Sequence, residues 1–247
     1  MMNIITYGGG TNSTALAIAC VKRNIPIDLV IFSDTGAEHP ETYDYISYFS
    51  KWCVENGLGR IKIVKKAGNG ETLEEECYRK KCLPSIAYGF KTCSQKYKIQ
   101  PVDKYMNNWD KSKAVWAKGE QITKFIGFDA GESHRVKDFN DKKYNVDYPL
   151  VRWDMDRDDC IQMIKDEGLC LPGKSACFFC PSSRISEIKA LKAKHPGLAD
   201  RAIAMEERAE LTSIAGLGRS YSWKNLLSTD DMFEDNYIEI DCGCYDG

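Results

Sequence analysis

Six residues near the start of the chain, GGGTNS, have the composition of a turn that binds a phosphate or sulfate group. They are Gly8, Gly9, Gly10, Thr11, Asn12 and Ser13. Glycines let a backbone approach an anion closely, and the start of a helix offers unpaired N–H groups with a partial positive charge. An ordinary strand-to-helix turn with Ser13 as its cap would use the same residues without a ligand. The spacing fits neither G-x-G-x-x-G nor a Walker A loop with its lysine.

Two cysteines in the C-terminal half have the spacing of metal ligands. Cys177 and Cys180 form C-x2-C in SACFFCPSS, and Cys170 precedes them. Two thiolates in a tight turn can bind a zinc ion or an iron–sulfur cluster. The chain has eleven cysteines, an odd number, and no secretory leader is recognisable, so a disulfide framework is not expected. Metal binding is the prediction, and reduced buried thiols are the alternative.

The elements that must position these residues alternate between strand and helix, which predicts an α/β fold with a doubly wound, mainly parallel sheet. In such a sheet ligands bind at the carboxyl ends of the strands, where residues 8–13 and Asp34 lie. The C-terminal third reads as helical and bears cysteines. Strands are predicted at 3–7, 27–33, 61–64 and 124–128, and helices at 13–23, 40–56, 156–167, 182–194 and 197–211.

Composition places the chain among globular proteins. Of its 247 residues, 43% are hydrophobic and 28% are charged, and the formal net charge of −2 gives no overall signature of nucleic-acid binding. No apolar run reaches the length of a membrane span. We expect a cytoplasmic protein with one domain: residues 1–181 form the nucleotide-binding part with the metal-ligating cysteines, and residues 182–247 form a helical extension and tail.

Two segments resemble one known family. GGGTNS resembles the PP-loop, S-G-G-x-D-S, of the adenine nucleotide α-hydrolase superfamily, and SDTGAEHPETYDYI at 33–46 resembles the D-T-G-x-x-x-P-E-T-[YF] signature of 3′-phosphoadenylyl-sulfate (PAPS) reductases. The resemblance implies a Rossmann-like fold that binds an adenine nucleotide through residues 8–13, Asp34 and Gly36. Asn12 stands where the superfamily has aspartate, which weakens the case for Mg²⁺-assisted ATP chemistry, because an amide is a poor ligand for a hard cation.

The same resemblance assigns basic residues to the substrate. Arg135, in IGFDAGESHR, matches the segment in which a family arginine meets the charged groups of the substrate, with His134 as a lesser candidate. Lys96 and Lys98, in KTCSQKYKIQP, match basic residues that the family places near the nucleotide. Solvated surface charges are the alternative for all four.

The resemblance also implies a set of metal ligands. Iron–sulfur members of the family carry a Cys-Cys pair upstream of C-x2-C, and Cys93 lies 84 positions before Cys177, followed by Ser94. A [4Fe–4S] cluster held by Cys93, Cys177, Cys180 and a replacement ligand is therefore expected. Cys170 is the first candidate for that replacement and Cys82 the second. A structural Zn²⁺ site is the alternative.

The last residues, EIDCGCYDG, resemble the E-C-G-[IL]-H tail whose cysteine attacks the sulfonate group in sulfonucleotide reductases. Cys242 is then the nucleophile, and Cys244 or a thioredoxin-type partner would free the sulfite. The predicted activity is thiol-dependent reduction of an adenylyl-sulfate-type nucleotide to sulfite and AMP or its 3′-phosphate.

Two other functions stay open. One is an ATP pyrophosphatase, with Mg²⁺, that adenylates a nucleic-acid or small-molecule acceptor for sulfur insertion. The other is a non-enzymatic nucleotide-binding protein. The sequence leaves a homo-oligomer open, and nucleic acid is a partner only under the first of these alternatives.

Overall fold

A computed structural model describes residues 2–66, 68, 70–84, 86–87, 90–137 and 141–228. Cys242 and Cys244 lie outside these residues. The core is a five-stranded sheet. Its strands are β1 (Met2–Tyr7), β2 (Leu29–Asp34), β3 (Lys62–Lys65), β6 (Ile122–Ile126) and β7 (Tyr144–Asp147). Their order in the sheet is β3-β2-β1-β6-β7, and every neighbouring pair is parallel. The predicted parallel α/β fold is confirmed.

The order of the strands creates the ligand crevice. From β1 the chain moves outward to β2 and β3, and it then returns to the other side of β1 to form β6 and β7. The strand order therefore reverses between β1 and β6, and parallel sheets bind ligands at the carboxyl ends of such a pair. Gly8 follows β1 and Gly127 follows β6, so both glycines lie at this point.

Alternating side chains of the strands feed two apolar layers, as the two-residue period of a strand requires. Ile5 and Tyr7 of β1 pack with the helices α1 (Thr11–Lys22), α2 (Pro40–Glu55) and α8 (Arg157–Asp166). Ile4 of β1 faces the opposite layer, which contains side chains of α5 (Gln100–Asn108) and α6 (Asp110–Ala117). Because both faces are covered, every residue of β1 and β2 is buried.

A third apolar cluster is built beside the sheet by helices from both halves of the chain. It contains Phe178 and Phe179, which follow Cys177 directly, and the buried face of α3. Inside this cluster the buried carboxylate of Glu206 accepts hydrogen bonds from the backbone N–H groups of Leu217 and Trp223. The helices are α3 (Leu73–Lys80), α9 (Ile185–Lys194), α10 (Pro196–Arg208) and α11 (Trp223–Ser228).

Several short elements were not predicted. β7 is a four-residue strand at one edge of the sheet, and β4 (Ile86–Ala87) and β5 (Phe90–Lys91) form a small antiparallel pair. The other short elements are α4 (Thr92–Ser94), a π-helical turn (Gln95–Ile99), a 3₁₀ helix (Ala130–Arg135) and α7 (Pro149–Arg152). None of the helices described is both long and apolar enough to span a lipid bilayer.

Gly127 allows the end of β6 to touch the start of α1. A Cβ atom at this position would lie 2.9 Å from the backbone N and Cα atoms of Ser13. We expect Gly127→Ala to lower the free energy of unfolding by about 1–3 kcal/mol, because the overpacked atoms are backbone and cannot rotate away. Chemical denaturation followed by circular dichroism measures this loss.

Gly197→Ala is the matched control. Gly197 lies in the first turn of α10, where an added Cβ would have no atom within 4 Å, and alanine favours a helix more than glycine does. Equal stabilities of the two variants would show that the contact between Gly127 and Ser13 is not as tight as described.

Candidate active site at the carboxyl ends of the strands

The glycine-rich loop between β1 and α1 is held in shape by its own side chains. Gly9 has a φ of +80°, which favours glycine, and a Cβ added there would lie 3.0 Å from Thr42. The Ser13 hydroxyl accepts from the N–H of Gly8 (3.2 Å) and donates to the carbonyl of Gly10 (3.2 Å). Ser13 therefore fixes the loop instead of presenting a free hydroxyl to a ligand.

The N-terminus of α1 is suited to an anion. The Gly10 cap makes no side-chain hydrogen bond, and the first turn contains no acidic residue. The first N–H groups of a helix have no partner within the helix and carry a partial positive charge. The predicted anion-binding residues thus form a compact turn at the reversal point of the sheet.

Asn12 links this loop to two other segments. Its amide nitrogen donates to Asp129 (2.8 Å) and Glu132 (3.0 Å), and its amide oxygen accepts from Arg157 at the start of α8 (2.9 Å). The side chain is 3% exposed. An amide is the group that satisfies both sides here, because a carboxylate could accept from Arg157 but could not donate to two acids.

The end of β2 forms a second ordered turn. The carboxylate of Asp34 accepts from the Gly36 N–H (2.7 Å) and the Tyr43 hydroxyl (2.8 Å) and pairs with Lys65 (3.0 Å). Gly36 has a φ of +74°, and a Cβ there would clash with the side chain of Thr72. Burial, followed by the Asp34 carboxylate, raises the pKa of Tyr43 well above its usual value, so its hydroxyl stays a donor.

Three of the four predicted metal ligands line one cavity. Cys93, Cys177 and Cys180 surround it together with Lys98 and Ser175. Ser175 also reaches the glycine-rich loop, since its hydroxyl donates to the Gly8 carbonyl. Ser175 therefore lines the cysteine cavity and also contacts the glycine-rich loop.

The fourth predicted ligand, Cys170, lies elsewhere. It is exposed, its N–H donates to the Tyr48 hydroxyl of α2 (3.4 Å), and it is not among the residues that line the cavity. The other candidate, Cys82, lies beside the buried Cys77, which has Cys93 as a neighbour. Within the described ranges, no three His, Cys, Asp or Glu side chains are arranged to hold a metal ion.

The thiol of Cys177 is set between polar groups. It contacts the Thr35 hydroxyl (3.2 Å) and lies 3.9 Å from the carboxylate of Glu38. Burial raises the pKa of Cys177 well above that of an ordinary thiol, the Glu38 carboxylate raises it further, and Lys98 opposes the increase. Cys177 is thus a protonated thiol in the protein without a bound metal.

The basic residues named from the sequence separate into different environments. The π-helical turn at 95–99 directs Lys98 to the cavity and Lys96 to the buried carboxylate of Glu76 (2.8 Å). Arg135 pairs with Glu132, and its guanidinium lies 4.1 Å from the centre of the Phe128 ring. Through Glu132 it is connected to Asn12, whereas His134 is exposed.

Several residues of the site were missed from the sequence. Arg157 carried a usable signal, because a positive charge in the first turn of a helix opposes the helix dipole and so suggests another role. Ser175 and Gly127 carried no such signal. Their roles depend on contacts between segments that are distant in the chain.

The position of Asn12 predicts the effect of restoring the aspartate of the superfamily. Asn12→Asp removes two donated hydrogen bonds and brings a third carboxylate to Asp129 and Glu132. We expect it to reduce the free energy of unfolding by about 1–3 kcal/mol at pH 7. The deficit should shrink as the pH falls, because a protonated carboxyl can donate and carries no charge.

The matched control is Asn108→Asp, which makes the same chemical change at an exposed amide that donates to the Lys104 carbonyl. Urea denaturation at pH 5 and pH 8 measures both variants. A deficit for Asn12→Asp that does not depend on pH would contradict the proposed repulsion.

Comparison with known proteins places the chain in a family. Residues 2–171 match the phosphoadenosine phosphosulfate reductase domain. The uncharacterised nin region protein ORF290 of Escherichia phage lambda is 26% identical over 203 residues, which cover 73% of this chain and 66% of that protein. An uncharacterised 37.8 kDa protein from the gpa 5′ region of Escherichia phage 186 is 36% identical over 64 residues, or 26% of this chain and 17% of that protein.

The chain thus spans less than two thirds of the length of either relative. Among solved structures, the U34-tRNA thiolase NcsA from Methanococcus maripaludis, with its [4Fe-4S] cluster, superposes with a TM-score of 0.41 at 17% identity, covering 95% of this chain and 84% of that one. The family match includes the glycine-rich loop, the turn after β2 and the Asp129 segment. The chain therefore belongs to the phosphoadenosine phosphosulfate reductase domain family.

Proposed function

We propose that the protein is an enzyme that binds an adenylyl-sulfate-type nucleotide and reduces it, with thiols, to sulfite and AMP or its 3′-phosphate. The observation that carries the proposal is the position of Ser175, which bonds to the glycine-rich loop and lines the cysteine cavity. A nucleotide held by the loop would have its charged end next to the cysteine cavity.

Backbone groups bind the nucleotide. The N–H groups at the start of α1 bind the negatively charged end of the nucleotide, and Gly9 and Gly10 let it approach. Arg135 reaches the substrate from the segment after β6, and Lys98 supplies positive charge in the cavity. Asp34 and Gly36 shape the turn on the nucleotide's other side.

The chemical part requires a reactive thiolate. Cys177 does not fit this role, because its thiol is buried against Thr35 and Glu38. We assign the attack to Cys242 of the tail. Its thiolate bonds to the sulfonate sulfur, the S–O bond breaks and the nucleotide leaves with that electron pair. A second thiol, on Cys244 or a thioredoxin-type partner, then attacks the Cys242 sulfur, so that a disulfide forms and sulfite departs with two electrons.

The cavity supports a cofactor proposal. Cys93, Cys177 and Cys180 have the donor chemistry of a [4Fe–4S] site and line a single cavity beside the loop, with Zn²⁺ as the alternative. Such a cluster would supply a redox-active centre close to the sulfonate. Cys170 is withdrawn from the first choice of ligands, since it lies against α2.

One observation favours a second function. Asp129 and Glu132 lie at the amide of Asn12, so carboxylates are present at the loop although the loop's own aspartate is missing. Carboxylates are ligands for Mg²⁺, and Mg²⁺-bound ATP is the substrate of PP-loop pyrophosphatases that adenylate an acceptor for sulfur insertion.

A substrate panel tests both functions. Anaerobically purified protein is incubated with adenylyl sulfate, its 3′-phosphorylated form or ATP, together with a dithiol reductant. We expect sulfite from one of the sulfonucleotides and none from the Cys242→Ser variant, because serine is a much weaker nucleophile than a thiolate. Cys53→Ala, which removes a thiol from the buried face of α2, is the control and should retain the activity.

The other outcomes are equally distinct. Pyrophosphate from ATP without sulfite from either sulfonucleotide would replace the reductase proposal with the pyrophosphatase. Nucleotide recovered intact from a stable complex in every incubation would reject both and indicate a binding protein.

A further inference from the structure

Two cysteines outside the proposed site are brought together by the end of α3. Cys77 lies in the last turn of the helix, and Cys82 follows it after Lys81, which has a left-handed φ of 48°. The N–H of Cys82 donates to the carbonyl of Cys77 (3.0 Å), and the N–H of Lys81 donates to the carbonyl of Tyr78 (3.3 Å). These two bonds define a Schellman motif, in which the side chains of the first and last residues, here Cys77 and Cys82, are frequently in contact. The Cys82 thiol is also among the groups that raise the pKa of Cys77, so the two thiols are neighbours.

The two thiols differ in their access to solvent. Cys77 is 3% exposed, whereas Cys82 is half-buried and accessible from outside. Burial, with Cys82 and Glu76 as smaller causes, raises the pKa of Cys77 to about 12. The accessible thiol is therefore the one that can react first with an external reagent, and the sealed thiol is its neighbour.

A purely structural interpretation is that the two cysteines make the apolar contact that commonly accompanies this motif. The surroundings argue against an accidental pairing. The buried thiols of Cys20, Cys53 and Cys160 belong to a different apolar cluster, the one that covers one face of the sheet. Cys77, in contrast, has Cys82 and Cys93 beside it, and it belongs to the apolar cluster against which Cys93 and Cys177 pack.

We propose that Cys77 and Cys82 form a reversible disulfide, which makes the end of α3 a site of thiol–disulfide exchange with low-molecular-weight disulfides and dithiols. In the forward direction, the Cys82 thiolate attacks a disulfide R–S–S–R and releases one R–S⁻. Cys77, after losing its proton, then attacks the Cys82 sulfur and releases the second R–S⁻. The protein loses two electrons and two protons, and the reagent is reduced to two thiols.

This assignment does not depend on the proposed function. It removes Cys82 from the candidate ligands of the cluster, because a cysteine that forms this disulfide cannot bind a metal in the cavity at the same time. The helix that carries the pair is also tied to the crevice, since the N–H of Leu73 donates to the carbonyl of Thr35 (3.0 Å) at the end of β2. The pair therefore lies at the end of a helix that borders the crevice.

Peptide mapping tests the disulfide directly. Full-length protein is equilibrated anaerobically in glutathione buffers of increasing oxidised fraction, alkylated with N-ethylmaleimide under denaturing conditions and digested with trypsin. Trypsin cuts after Arg79, Lys80 and Lys81, so Cys77 and Cys82 fall in separate peptides, 67–79 and 82–91. We expect these two peptides to become linked, with a mass lower by two hydrogens than their sum, and to separate again on reduction.

Several results would overturn the proposal. One is a stable glutathione adduct on Cys82 with Cys77 alkylated, and another is a link from peptide 67–79 to the peptide of Cys93 instead. In a Cys77→Ser variant, the glutathione adduct on Cys82 should accumulate, because the attacking thiol is missing. Circular dichroism of that variant checks its fold, and Cys170→Ser, at an exposed thiol against α2, should leave the linkage unchanged.

Iron analysis separates this proposal from the cluster proposal. Cys82→Ser should bind as much iron as the unmodified protein after reconstitution, and the loss of iron from this variant alone would show that Cys82 is a ligand. A chain that binds no iron, yet forms the linked peptides, would reject the cluster and support the disulfide.

Discussion

The side-chain amide of Asn12 joins the three segments on which the site depends. One of its atoms receives a hydrogen bond from Arg157, and the other donates to Asp129 and Glu132. The glycine-rich loop, the segment after β6 and the first turn of α8 therefore share one buried group. Because buried donors and acceptors are costly to leave unpaired, these segments keep one arrangement. The glycine at 127 makes this arrangement sterically feasible, since β6 must end against the backbone of α1.

The segment between Cys170 and Pro181 connects this framework to the cysteines. Ser175 bonds to the loop, the Phe178 N–H donates to the Ala37 carbonyl (2.9 Å), and Glu38 forms an isolated bridge with Cys177. The turn that contains Cys177 and Cys180 is thereby bonded to the segments that follow β1 and β2. The cavity is therefore linked to both segments by short contacts that involve the backbone on at least one side.

The sequence was sufficient for the main elements and insufficient for their meeting points. Buried, β-branched runs predicted β1 and β2 to within two residues, because strands covered on both faces have continuous apolar sequences. β7 was missed since its residues, YNVD, are half polar, as an edge strand permits. Cys170 was proposed as a ligand because of its spacing before C-x2-C and because the family resemblance lacks one cysteine at Ser94. Neither signal could show that residue 170 lies beside α2.

Lys96 and Lys98 illustrate the same limit. Two residues apart, they would point in different directions in any helix, and the π-helical turn decides which of them reaches the cavity. The buried carboxylate of Glu76 pairs with Lys66, Lys80 and Lys96. Lys80 lies four residues after Glu76 in α3, a spacing that the sequence shows. Lys66, which follows β3, and Lys96, in the π-helical turn, are brought to Glu76 only by the fold.

The edge of the sheet formed by β3 has a consequence for the behaviour of the protein at high concentration. This strand has only four residues, and exposed lysines occupy both of its ends, Lys62 and Lys65. Open strand edges are templates for pairing with another chain, and short, lysine-bearing edges resist such pairing. Two copies that approached edge to edge would have to bring these ammonium groups together, so intermolecular extension of the sheet is disfavoured on this side.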